Sequence, residues 1–109
     1  MDRQETEKLV GEFQVYQQQL QGLLLQKESL SLQLAEIAKV DEELKVTKQK
    51  TAYKITGGIM VSKPVEEIKK DLAETKEAIE VRVRSLEKAA EKVNLKLKEL
   101  QTKLKEIIQ

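Results

Sequence analysis

Ala52–Lys63, AYKITGGIMVSK, is the stretch around which the rest of the chain is organised. Tyr53 and Ile55 alternate with polar neighbours, Gly57-Gly58 supplies a two-residue turn that tolerates positive φ, and Ile59, Met60 and Val61 resume an extended run. The pattern predicts a β-hairpin over residues 52–63. A lone two-stranded hairpin is marginal in water, and this one carries apolar residues on both faces and two unpaired edges. No other stretch of the chain reads as a strand, so the hairpin is expected to find its partners on other chains and to drive oligomerisation.

On its N-terminal side, residues 1–51 read as a first coiled-coil helix, with the helix itself from about Asp2 to Thr51. Asp2 and Glu5 have the spacing of a capping box. With Phe13 at heptad position a, the d column reads Leu9, Tyr16, Leu23, Leu30, Ile37, Leu44 and Thr51, and the a column Phe13, Leu20, Lys27, Leu34, Asp41 and Lys48. A repeat of 3.5 residues held this long makes a coiled-coil seam. Glutamines at 14, 17, 18, 19, 21 and 26 give uncharged polar surface, read either as a solvated face or as hydrogen-bonding groups for a peptide.

Residues 64–109 read as the second coiled-coil helix, with Pro64 in the first turn, Ser62 or Lys63 as cap, and Glu66 and Glu67 complementing the helix dipole. Its d column, Val65, Leu72, Ile79, Leu86, Val93, Leu100 and Ile107, is apolar throughout. Its a column begins with Lys69 and Lys76 and turns apolar at Val83, Ala90, Leu97 and Leu104. This is the more strongly patterned helix. Pairs such as Glu66–Lys70, Glu80–Arg84 and Glu99–Lys103 are spaced to support it from the outer face.

A hairpin centred on Gly57-Gly58 returns the chain antiparallel and brings together residues whose numbers sum to roughly 115. Lys27 then falls near Glu87 and Glu91, Asp41 near Lys76, and Lys48 near Glu67, either as register-setting pairs or as solvated charges. The same folding collects Leu9, Val10, Phe13, Leu104, Ile107 and Ile108 at the free end of the arm, where a two-stranded coil leaves apolar surface wet. Leu25 and Leu32, both at position f, extend exposed apolar surface along one side.

Composition narrows the function classes. Of 109 residues, 36% are charged and 3% aromatic, which suits long helices rather than a thick core. The 20 basic and 19 acidic residues are interspersed, giving a net charge of +1 and no basic face for nucleic acid. The chain has no Cys and no His, which removes thiol and imidazole chemistry and the commonest transition-metal ligands. No Gly-rich phosphate loop is present. No apolar run approaches the roughly 20 residues needed to span a bilayer, and MDRQETEKL is too polar for a signal peptide. The expectation is a soluble intracellular protein, not an enzyme, with no cofactor and no metal.

Long helix, single hairpin, long helix is an order that resembles the β-class subunits of prefoldin, also called GimC. Tyr53-Lys54-Ile55-Thr56-Gly57-Gly58-Ile59-Met60-Val61 is similar to the family's Tyr-Lys-x-x-Gly-x-hydrophobic hairpin. Asp41-Glu42-Glu43-Leu44 and Tyr16-Gln17-Gln18-Gln19-Leu20 are also similar to family sequences. Lys45–Thr51, KVTKQKT, departs from the acidic or Pro-containing join of many relatives.

The resemblance implies a single prefoldin-like domain over residues 1–109, mostly α: a long antiparallel two-helix coiled coil joined by one β-hairpin. It further implies a cytoplasmic hexamer of two α-class and four β-class subunits whose hairpins build a β-barrel platform. Such a complex is an ATP-independent holdase that captures unfolded proteins at its coiled-coil tips and delivers them to a group II chaperonin. On that reading Tyr53, Ile55, Gly57, Gly58, Ile59, Met60 and Val61 carry assembly, and Leu9, Val10, Phe13, Leu104, Ile107 and Ile108 contact clients. The alternative is a coiled-coil scaffold or tether without chaperone activity.

Overall fold

The computed structural model describes residues 3–108, with side chains as far as Ile107. The capping box assigned to Asp2 and the side chain of Ile108 lie outside the described residues. The element order is α1 (Arg3–Val46), β1 (Thr51–Thr56), β2 (Ile59–Pro64) and α2 (Val65–Ile108).

The first helix stops earlier than its heptad pattern predicts. Thr47 N–H still donates to the Glu43 carbonyl at 3.1 Å, but the Gln49 N–H turns to the Thr47 side-chain oxygen at 3.3 Å. A threonine hydroxyl that satisfies the amide two residues on offers the backbone an alternative to the helix ladder. Lys48 and Thr51 therefore leave the seam, and Thr51 opens β1.

β1 and β2 pair antiparallel from Thr51↔Pro64 to Thr56↔Ile59, one residue longer at the open end than the sequence pattern suggests. Gly57 and Gly58 both have positive φ, at 56° and 79°, as a type I′ turn demands. Pro64 is the last residue of β2, not the first turn of α2. A strand terminus accepts a residue that cannot donate to the ladder. Val65 N–H, otherwise one of the unsatisfied donors at a helix start, donates to the Lys50 carbonyl at 2.9 Å.

The chain divides into two compact units, Leu30–Arg82 and the described residues up to Ser29 together with those from Val83 onward. In the unit made of helix ends, every described a and d position is buried or half-buried, with Leu86, Ala90 and Leu100 the most enclosed. Lys27 at position a reaches Glu87 at 3.5 Å, the antiparallel pairing that the residue numbers predict.

In the unit that carries the hairpin, the core is Leu44, Val65 and Ile68, with Ala52 and Leu72 packed against it. Ile68 lies at position g, beside the seam that the heptad pattern draws, while Lys69 at a is half-buried and Lys76 at a is exposed. The base of the hairpin is a third packing element, and it turns the buried stripe of α2 toward Val65, Ile68 and Leu72. Among the described residues, Asp41 and Lys76 form no ion pair, nor do Lys48 and Glu67. Glu67 is instead bridged by Lys63 at 3.6 Å. The outer-face pairs of α2 differ likewise: Glu66 meets Lys69 and Glu99 meets Lys96, each at i,i+3 spacing.

Candidate interaction surfaces

Antiparallel pairing assigns the hairpin side chains to two faces, because directly opposed residues point the same way. Ala52, Lys54, Thr56, Ile59, Val61 and Lys63 share one face; Thr51, Tyr53, Ile55, Met60, Ser62 and Pro64 share the other. The first face is held to α2. Ala52 packs on the Leu44–Val65–Ile68 core. Lys54 from β1 and Lys63 from β2 both approach the Asp71 carboxylate, at 3.9 and 4.0 Å. These distances exceed hydrogen-bond range, so the attraction is charge to charge, and one carboxylate serves both strands.

Among the described residues nothing covers the second face. Tyr53 is 70% exposed, Ile55 72% and Met60 64%. On the docked face Ile59 and Val61, nearer the turn, are also exposed. All five apolar residues assigned to assembly are thus free in the single chain, and the two glycines shape the turn that aligns them. Tyr53, Ile55 and Met60 gather on one side while Ile59 and Val61 lie on the other.

In the unit of helix ends, Leu9, Phe13, Leu104 and Ile107 are half-buried and Val10 is exposed. One groove there is lined by Glu5, Lys8, Leu9 and Glu12 of α1 with Lys103 and Glu106 of α2. Charged side chains therefore frame the apolar Leu9. Leu25 is exposed, as its f position predicts, and so is Leu32 in the hairpin unit. Two features escape a heptad reading. The Asp71 clamp depends on strand register, and a groove containing Leu24 and Leu97 joins residues from different helices. Only the run of Leu23-Leu24-Leu25 hinted at the latter, since three consecutive leucines cannot all face one seam.

Two long helices interrupted by one exposed two-stranded hairpin define a class: coiled-coil subunits with a β-extension. A family model described as prefoldin subunit matches residues 7–109. The chain is 37% identical over 97 residues to prefoldin subunit beta of Thermococcus onnurineus, covering 88% of this chain and 84% of that protein. It is 33% identical over 105 residues to prefoldin subunit beta of Archaeoglobus fulgidus, covering 95% and 90%. The crystal structure of the prefoldin beta subunit from Thermococcus strain KS-1 matches with a TM-score of 0.87 at 31% identity, over 96% of this chain and 93% of that one. The chain belongs to the prefoldin family of chaperones, and these likenesses are to its β subunits. Among the described residues no helix is long and apolar enough to cross a membrane.

Proposed function

We propose that the chain, acting over residues 1–109 as one prefoldin-like domain, is a β-class subunit of a cytoplasmic, ATP-independent holdase that is not an enzyme. The observation that carries this reading is the hairpin, which leaves five apolar side chains exposed on a sheet with two open edges. Fully burying such residues contributes about 1.5–3 kcal/mol each, enough to offset much of the cost of association. Hairpins of several subunits joined edge to edge would close a β-barrel platform and remove the edges. Two α-class and four β-class subunits fit the family's assembly.

Client capture is assigned to Leu9, Val10, Phe13, Leu104, Ile107 and Ile108. A patch of this size holds an unfolded chain weakly, and several arms acting on one client gain by effective concentration. Weak contacts also permit release, here to a group II chaperonin. The test is suppression of aggregation of a denatured protein by the assembled complex, comparing the native chain with a variant polar at all six positions. The variant complex should lose most of its suppression at unchanged mass. Equal suppression by an intact variant complex would refute the client-contact assignment, and a chain that sediments as a dimer indifferent to an α-class subunit would refute the chaperone reading itself.

A further inference from the structure

Gly11 and Gly22 stand inside α1, where glycine is the poorest helix former after proline. Nothing in the described chain requires them. A Cβ at either position would meet no atom of the rest of the chain within 4 Å, and neither glycine has a positive φ. With Phe13 at position a, Gly11 falls at f and Gly22 at c, on the side of α1 opposite the seam. Val15 at c and Gln18 and Leu25 at f complete a stripe with the alternating four- and three-residue spacing of a second coiled-coil seam. Its large members are open to solvent: Val15 is 52% exposed and Leu25 60%.

Two notches and two apolar knobs on one stripe are complementary to a second copy of the same stripe. Two α1 helices laid antiparallel about Gln18 bring together residues whose numbers sum to about 36. Leu25 of each copy then faces Gly11 of the other, and Val15 faces Gly22 to within one residue, about 1.5 Å along the axis. Charge agrees with size. The same register sets Lys8 opposite Glu28, and neither forms an ion pair among the described residues, while Glu7 is already bridged by Arg3 at 3.3 Å. We propose that this outer stripe of α1 is a homotypic contact at which the arms of two copies of the chain pair antiparallel about Gln18. Each copy offers the same patch, so the contact is isologous and closes at two. The function is separate from client capture: arms that leave one platform run the same way, so antiparallel pairing joins arms of two assemblies. A strip about 30 Å long and 10 Å wide falls well short of the roughly 800 Å² a side of a standard interface, so one pair is weak and several arms acting together make it effective.

The test uses the full chain in the assembly it forms. The chain has no cysteine, so Gln18→Cys introduces its only thiol, at the centre of the paired stretch. Lys98→Cys, exposed on α2, is the control. A short bismaleimide should link two Gln18→Cys chains several-fold faster than two Lys98→Cys chains, and sedimentation should show the mass of the assembly doubling as concentration rises. Gly11→Gln with Gly22→Gln fills both notches and improves the helix. Added to Gln18→Cys, this pair should raise the urea midpoint yet slow the linking several-fold and abolish the doubling. Glycines that served only to soften the helix would give the higher midpoint with the linking unchanged. Linking at Gln18→Cys no faster than at Lys98→Cys, or a filled-notch variant that pairs as well as the native chain, overturns the proposal. Links formed at unchanged mass overturn the pairing between assemblies.

Discussion

In the unit of helix ends the heptad pattern and the buried positions coincide, whereas in the unit that carries the hairpin they part at Ile68 and Lys76. Two helices packing on each other alone need one stripe each, and the 3.5-residue repeat describes that stripe completely. Where Ala52 at the hairpin base also packs on the core, the favoured stripe turns to bury Ile68, and charge at positions a becomes affordable. Periodicity thus identifies a core only while the number of packing elements stays at two.

The largest effects are expected at the hairpin face. Replacing Ile55 with Lys and Met60 with Glu, which are directly opposed on the uncovered face, should abolish assembly in sedimentation experiments while far-ultraviolet circular dichroism stays unchanged. Ile59→Lys, on the other face, should weaken assembly in the same measurement without loss of helicity. Assembly at native mass by both variants would remove the hairpin from the interface.

Core truncations probe the two units separately. Leu86→Ala, at a position 3% exposed, should cost about 3 kcal/mol in urea unfolding. In the hairpin unit Ile68→Ala should cost about 2 kcal/mol and Lys69→Ala less than about 0.5 kcal/mol. A larger loss at Lys69 than at Ile68 would mean that the heptad seam continues through this unit after all.

The turn and the ion pairs should have smaller effects. Gly57→Val puts a branched side chain at a positive φ and should cost about 1–2 kcal/mol. Asp71→Asn, which removes the carboxylate shared by Lys54 and Lys63 and leaves Lys63 its pair with Glu67, should cost about 0.5–1 kcal/mol and lose its effect at 1 M salt, because these groups are partly solvated. Lys27→Met breaks the pair with Glu87 but places an apolar side chain in the seam, so the change should stay within about 0.5 kcal/mol.

Local signals made most of the architecture legible. Gly57-Gly58 between alternating apolar residues identified the hairpin and its turn, and the d columns from Leu9 to Leu44 and from Val65 to Ile107 marked both helices. The sum rule of roughly 115 placed Lys27 against Glu87. The helix boundaries were less legible. Thr47 ended α1 through a side-chain hydrogen bond that competes with a continuing heptad, and Pro64 suited a strand end as well as a helix start. For the candidate surfaces, exposure of Tyr53, Ile55 and Met60 followed from the lack of further strands, but their gathering on one face needed the pairing register.

Composition, period and turn chemistry are properties of neighbouring residues, and they suffice to specify two long helices and one hairpin with a Gly-Gly turn for which the sequence reads no partner strand. The Asp71 clamp, the rotation of the core to Ile68, and the joining of Leu97 to Leu24 and Leu25 bring together groups distant in the chain. Such contacts depend on which backbone segments approach within a few ångströms, and no local propensity encodes that distance. The hairpin therefore announces itself in AYKITGGIMVSK, while the direction in which it presents Tyr53, Ile55 and Met60 is set by how its other face packs on α2.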